Sequence, residues 1–310
     1  MCDVQIIGFD GGRGYVKAYS EYNNEKLSCI FRSVIGLVER RVESYPSHIE
    51  DNIHIEVDGA EWFVGELAER ESKSVVHNLG DDKTEQPVDI LLYAAIDKLA
   101  VTNKVKIMMG VPHKLYNKKT RASIKEKYAG RRITITNKVN KTTRVVTIVD
   151  IDIYKEAEAC LLYYVKDMDR LTSDMVLASV GFRTTEVVYY DKNFNYVEKY
   201  SDTIEKGNIT ALEYVQGRLG ALDVPVKKEL FEIDSSSDYD KYKKVGYNAL
   251  KVTLYQELEA RLINVGSENE MKIVFAGGTP SHFENLKYEI IPDAQMATSK
   301  GLFFFGQNIW

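Results

Sequence analysis

Cysteine is scarce in this chain: three residues in 310, Cys2, Cys29 and Cys160. An odd, scattered set builds no disulfide framework and shows no Cys/His zinc spacing, so reduced thiols in a cytosolic protein are expected. No apolar run approaches the roughly 20 residues that a membrane-spanning helix needs. The first residues, interrupted by Asp3 and Asp10, lack the charged-then-apolar order of a signal peptide. A cytoplasmic protein without membrane contact is the expectation. A basic excess is missing too. Lys and Arg number 41 against 46 Asp and Glu, a net charge of −5, so no global field draws the chain directly to nucleic acid. The G-x-G-x-x-G and G-x-x-x-x-G-K-[ST] fingerprints are absent, which disfavours the usual dinucleotide and P-loop sites. No Pro/Ser-rich linker separates the halves.

What is present is ordinary for a globular protein: 44% hydrophobic and 28% charged residues. The length suggests two domains more readily than one, because single cores rarely grow beyond about 250–300 residues. "DVQIIGF", "GYVKAYSEY" and "EKLSCIFRSVIG" read as three strands. Asn23-Asn24 and Asp58-Gly59 read as hairpin turns. "QPVDILLYAAIDKLA" has helical spacing, with Pro87 early, where a missing N–H is harmless. "VKIMMGVP" reads as a buried strand, "YNKKTRASIKEKYAG" as a surface helix, and "KEAEACLLYYVKDM" as a helix joining the halves. The second half repeats the theme with "DMVLASVGFRTTEVVYYDKNFNYVEKYS", two helix candidates, and "KIVFAGGTPSHFENLK" as strand, double-glycine turn and helix. The tail "SKGLFFFGQNIW" reads as a short helix or strand. A strand–turn–strand opening thus occurs twice, as a repeat of architecture rather than of sequence.

Four short pieces sit at strand ends and carry candidate chemistry. They are Asp10-Gly11-Gly12-Arg13-Gly14-Tyr15-Val16-Lys17, Gly181-Phe182-Arg183-Thr184-Thr185-Glu186, Ala276-Gly277-Gly278-Thr279, and Lys155-Glu156-Ala157. A glycine turn lets backbone N–H groups approach phosphate oxygens with no Cβ in the way. A strand-end carboxylate can hold hydrated Mg²⁺, and a nearby lysine can meet a phosphate as a point charge. Threonine hydroxyls can donate to phosphate. Each piece alone is more often structural: a hairpin, a helix N-terminal acid welcomed by the dipole, or threonines that favour strands.

Together and in this order, the pieces resemble the actin-like ATPase superfamily, and within it the bacterial plasmid-segregation actins of the ParM (StbA) family. The resemblance spans nearly the whole chain. "IIGFDGGRGYVK" is similar to the family's first phosphate loop, "WFVGELA" to a strand–helix signature, and "IMMGVP" to the strand ending in Gly-x-Pro. "YKEAEA" resembles the connecting segment, "VGFRTTEVV" the second phosphate loop, "VFAGGTPSHF" the adenosine motif, and "QMATSKGL" the closing segment. Four positions depart from the pattern. Ser179 stands where an aspartate is usual, Phe182 where the second glycine is usual, Glu186 for the closing aspartate, and Thr298 for asparagine. The loss of an acid at Ser179 implies weaker Mg²⁺ and water positioning. Phe182 implies a narrower approach to phosphate.

The resemblance implies an α/β, actin-like ATPase fold: two ribonuclease-H-like domains of mixed sheet plus helices around a nucleotide cleft. Residues 1–158, with a tail from about 300 to 310 packing back, would form domain I, and residues 159–299 domain II. ATP or GTP with Mg²⁺ would be bound by Asp10, Gly11, Gly12, Arg13, Gly14 and Lys17 on one side. Gly181, Phe182, Arg183, Thr184, Thr185, Gly207, Gly277, Gly278 and Thr279 would bind it on the other. Asp10 would hold Mg²⁺ through water, and Glu156 would position the attacking water. The implied function is an NTPase that polymerises head-to-tail with itself and segregates plasmid DNA through a DNA-binding adaptor of ParR type. A small-molecule kinase of the same superfamily, with Asp152 or Glu156 as base, and a non-hydrolysing nucleotide-binding regulator are the alternatives. The basic helix near Tyr116–Tyr128 reads as a solvated face or, more sharply, a filament or adaptor contact. The run Lys227–Lys244 reads as an exposed loop.

Overall fold

A computed structural model describes residues 4–39, 42, 44–46, 51–80, 82–221, 229–263, 265 and 271–310. The chain divides into two compact units, Met1–Tyr163 with Thr298–Trp310, and Tyr164–Ala297.

In the first unit, the opening apolar run forms β1 (Gln5–Gly11), followed by β2 (Tyr15–Tyr22) and β3 (Glu25–Arg32). Asn23 and Asn24 take φ of 50° and 65°, the pair of left-handed conformations that a two-residue hairpin turn demands. The third expected strand breaks at Ser33 and resumes as β4 (Val34–Leu37). β5 (Ile53–Val57) and β6 (Ala60–Val64) form the hairpin expected at Asp58-Gly59, where φ is 52° and 80°. Then come α1 (Glu66–Glu71), β7 (Val75–His77), α2 (Gln86–Leu99) and β8 (Lys104–Val111). α2 is apolar nearly all round, with Pro87 in its first turn, and it packs into the core. α3 (Lys118–Tyr128), β9 (Arg132–Asn137), β10 (Thr142–Lys155) and α4 (Glu156–Val165) follow. The ten strands lie in the order β3-β2-β1-β8-β10-β9-β5-β6-β4-β7.

The second unit holds β11 (Asp174–Val180), β12 (Thr185–Tyr190), β13 (Asp202–Ile204), α5 (Asn208–Gly220), α6 (Leu230–Ser235), α7 (Asp240–Leu262), β14 (Met271–Ala276) and β15 (Glu289–Ile290). Its sheet runs β13-β12-β11-β14-β15. This repeats β3-β2-β1-β8-β10 strand for strand: two antiparallel pairings, then two parallel ones. The repeat of architecture expected from sequence is therefore one of order and polarity.

Two expectations are corrected. The stretch after Ala276-Gly277-Gly278 is only a 3₁₀ turn, Thr279–His282, ended by Phe283 turning to extended backbone and into the apolar core. The described part of Lys227–Lys244 is mostly helical, broken at Ser236, because Leu230 and Ile233 pack against Leu212 and Val215; Lys227 and Lys228 lie outside the described residues. The tail, read as a short helix or strand, is a helix, α8 (Ala297–Ile309). It packs on the first unit through Phe303 edge-on to Tyr19 at 5.4 Å and Phe305 stacked on Tyr154 at 3.7 Å. Among the described residues, no helix is long and apolar enough to cross a membrane. Cys29 and Cys160 are free thiols, each pushed up to about 12 by burial; Cys2 lies outside the described residues.

Candidate functional site

The first hairpin builds one half of the candidate chemistry. β1 and β2 pair with Asp10 opposite Lys17 and Gly11 opposite Val16. Directly opposed residues share a face of the sheet, and Lys17 Nζ donates to Asp10 Oδ2 at 2.9 Å. Asp10 is 5% exposed, so its charge is held inside the fold rather than spent on solvent.

Three side chains grip the turn from behind. Lys83 Nζ donates to the Gly11 carbonyl at 2.9 Å, Asn78 Nδ2 donates to the same oxygen at 3.3 Å, and the Ser33 hydroxyl donates to the Gly12 carbonyl. In a trans peptide unit the C=O and the next N–H point opposite ways. Fixing these two carbonyls therefore turns the amides of Gly12 and Arg13 to the other side. A Cβ on Gly12 would lie 2.8 Å from the Tyr15 carbonyl and 3.1 Å from Lys17 Nζ, so this close approach requires glycine.

Glu156, the first residue of α4, reaches the same turn. Its Oε1 lies 3.5 Å from Lys83 Nζ and accepts no hydrogen bond among the described residues. Burial pushes its carboxyl above the usual range. Lys83 opposes that rise, Asp10 adds to it, and Lys17 and Arg13 oppose it again. A buried carboxylate oxygen, a second acid, and a glycine turn with outward amides fit a hydrated cation and a phosphate chain.

The second hairpin has the same register. Val180 lies opposite Thr185 and Ser179 opposite Glu186. Four residues close each turn, 12–15 in the first and 181–184 in the second. The Asp10 position thus falls on Ser179, and the Lys17 position on Glu186. Phe182 does not narrow the turn as its size suggested. Its ring stacks on Phe231 at 5.2 Å and packs against Leu212 and Val215, turned into a small core of its own. Thr185 is fully buried and donates its hydroxyl to the Lys206 carbonyl at 2.7 Å, so that proton is committed within the fold. Thr184 keeps the half-buried hydroxyl of the turn, and Gly181 and Arg183 are exposed.

Gly207 caps α5 from outside. The amides of Asn208 and Ile209 donate to the Gly181 and Phe182 carbonyls at 3.0 and 2.8 Å, so the helix start is spent on holding the loop. Gly277 takes φ of 89°, and a Cβ there would strike the Val180 carbonyl. Thr279 Oγ1 lies 3.3 Å from the Gly181 carbonyl, so the double-glycine turn and the second loop are tied together. Gly278 is half-buried beside Gln295. His282 ends the 3₁₀ turn stacked on Tyr247 at 4.6 Å, and burial lowers its pKa.

The structure thus brings Asp10, Gly11, Gly12, Lys17 and Glu156 together in the first unit. In the second it brings together Gly181, Gly207, Gly277 and Thr279. Asp152, the other candidate base, is taken by Arg121 Nε at 2.6 Å and by Lys125 at 3.4 Å. α3 buries only Ile124 and Tyr128 and is otherwise largely exposed, as a solvated face is; its Arg121 and Lys125 reach the sheet at Asp152, and its Lys127 pairs with Asp89 of α2 at 2.6 Å. Lys83, Asn78 and Ser33 are functional candidates that sequence reasoning missed. Lys83 sits in the polar run "DDKTE", which reads as solvated charge.

Residues 8–158 match the family of actin-like proteins at its N-terminal domain. Among solved structures, a 15-stranded ParM filament from Clostridium botulinum matches with a TM-score of 0.82 at 19% identity, covering 98% of this chain and 99% of that one. An archaeal actin homologue, solved also in complex with ADP, matches in its native form with a TM-score of 0.78 at 16% identity, over 98% and 99% of the two chains. Bacillus thuringiensis ParM with ATP matches at 0.68 and 14% identity, over 99% of both. No curated protein matches the chain in sequence. The fold is that of the actin-like proteins. In fold the chain is of the ParM type.

Proposed function

We propose that this chain is a nucleotide-dependent, filament-forming NTPase that moves DNA through a DNA-binding adaptor. The observation that carries the reading is the convergence of Asp10, Lys17 and Glu156 on a glycine turn whose carbonyls are fixed from behind. Fold relatives solved as a ParM filament, with ADP and with ATP support the nucleotide and the self-assembly. The net charge of −5 supports indirect rather than direct contact with DNA.

The residues divide the work. The Gly12 and Arg13 amides and Lys17 hold the phosphate chain of ATP or GTP. Mg²⁺ held by Asp10 through water would supply charge neutralisation on the phosphates. Glu156 orients a water in line with the terminal phosphorus and accepts its proton as the new P–O bond forms. The bond to the bridging oxygen breaks, and a nucleoside diphosphate leaves with the bonding pair. Nucleotide that binds one conformation better favours the shape that fits a neighbour, and hydrolysis removes that bias. Head-to-tail contacts that do not close give filaments.

Ser179, at the position matching Asp10, favours a second reading, a regulator that binds nucleotide without hydrolysing it. Pelleting and light scattering with ATP, GTP and their non-hydrolysable analogues, alongside phosphate release, separate the readings. Nucleotide-dependent pelleting with phosphate release is expected. Pelleting without release selects the regulator. No pelleting, with phosphorylation of an added small molecule, sinks the filament reading.

A further inference from the structure

Lys83 stands apart from the surface lysines. Its side chain is 8% exposed, although it comes from a short polar loop ahead of α2. Burying an ammonium group is costly unless it is paired, and this one has two partners with different jobs. It donates to the Gly11 carbonyl at 2.9 Å, and it lies 3.5 Å from Glu156 Oε1. The loop that carries it is itself docked: Asn78 donates its amide N–H to the Ser33 carbonyl at 2.9 Å and its side chain to Gly11, and Tyr128 Oη donates to the Lys83 carbonyl at 3.1 Å.

We infer that Lys83 is a positioning residue for phosphate transfer, one ammonium that fixes both the phosphate-turn amides and the Glu156 carboxylate. The inference rests on the nucleotide reading above. Holding the Gly11 carbonyl orients the Gly12 amide, and the same charge keeps the carboxylate of Glu156 at a fixed distance from that turn. The turn and the acid therefore cannot drift independently, and a shift of about 1 Å between reacting groups can cost about 100-fold in rate.

The charged groups acting on Glu156 are Lys83 from the loop, Asp10 from β1, Lys17 from β2 and Arg13 from the turn. Lys83 is the largest of the cationic influences, so its removal leaves Glu156 easier to protonate. Glu156 accepts a proton only when ionised, so the acid limb of the rate profile then moves to higher pH.

The test uses the full chain as wild type, Lys83→Met and Lys83→Arg, with phosphate release measured across pH and nucleotide binding followed with a fluorescent ATP analogue. Lys83→Met keeps the alkyl stem, and thermal melting reports whether it folds. The expected result is kcat down about 100-fold, KM changed less than about threefold, and the acid limb moved to higher pH. Lys83→Arg restores the position of that limb. A folded Lys83→Met protein with wild-type kcat, or with lowered kcat and an unmoved acid limb, overturns the inference alone. A wild type that binds nucleotide and releases no phosphate overturns the hydrolytic reading, and the inference with it.

Discussion

Asp10 and Lys17 meet across the first hairpin at 2.9 Å, and the matching pair across the second hairpin is Ser179 and Glu186. One frame thus carries an acid and a base in one unit and a hydroxyl and an acid in the other. The fold repeats; the chemistry mounted on it does not.

Asp10→Ala removes the acid of the first hairpin and leaves the ammonium of Lys17, 17% exposed, without its partner. Phosphate release is expected to fall at least about 100-fold, the scale on which losing one placed electrostatic group acts. The protein remains folded, because the hairpin is still paired on both sides. Circular dichroism and turnover on one preparation check this. A folded variant with wild-type turnover returns the stretch to being a hairpin.

Ser179→Asp supplies the acid the second hairpin lacks, but it sets two carboxylates directly opposite each other. Like charges so placed are destabilising, by roughly 0.2–1 kcal/mol. The variant is expected to melt lower without Mg²⁺ and nucleotide, to recover with them, and to hydrolyse about tenfold faster, or 1.4 kcal/mol of barrier. Adding Glu186→Gln relieves the melting penalty. If Ser179→Asp leaves turnover unchanged, Ser179 does not limit hydrolysis.

Gly277→Ala tests backbone geometry at the double-glycine turn. At φ of 89°, with the Val180 carbonyl in the way, a methyl group has no room. A loss of about 1–3 kcal/mol is expected by urea or thermal denaturation. Alanine at no cost would mean that the turn is not held as described.

Asp152 links acid stability to α3. Burial raises its pKa, but hydrogen bonds from Arg121 and from the Ile153 amide, with the charge of Lys125, outweigh that and hold it below the ordinary 3.8. A depressed carboxyl pKa stabilises above the unfolded value and loses that stability as pH falls through the folded one. Arg121→Ala is therefore expected to cost about 1–2 kcal/mol at neutral pH, discounted because Arg121 is half-exposed. The gap to wild type narrows below about pH 4. A gap that stays constant from pH 7 to pH 3 would contradict the ion-pair account.

The opening strands and the two turns at Asn23-Asn24 and Asp58-Gly59 were legible because Asn, Asp and Gly tolerate positive φ and apolar runs bound them. The meeting of Asp10 and Lys17 at the first glycine turn was legible because its acid, glycines and lysine lie within eight residues. Lys83 was not, since its partners are 72 residues back and 73 residues forward in sequence. Phe182 misled because residue type says nothing of direction: its ring leaves the turn to find Phe231. The 3₁₀ turn after Gly278 misled because strand, glycines and proline also open longer helices.

The most direct measurement is a time course of pelleting and phosphate release in the same tube, with ATP or GTP against a non-hydrolysable analogue. A nucleotide-controlled filament predicts polymer that forms on nucleotide addition, declines as phosphate is released, and persists with the analogue. Polymer of equal amount and lifetime with the analogue, with ATP or GTP, and with no nucleotide would contradict the account.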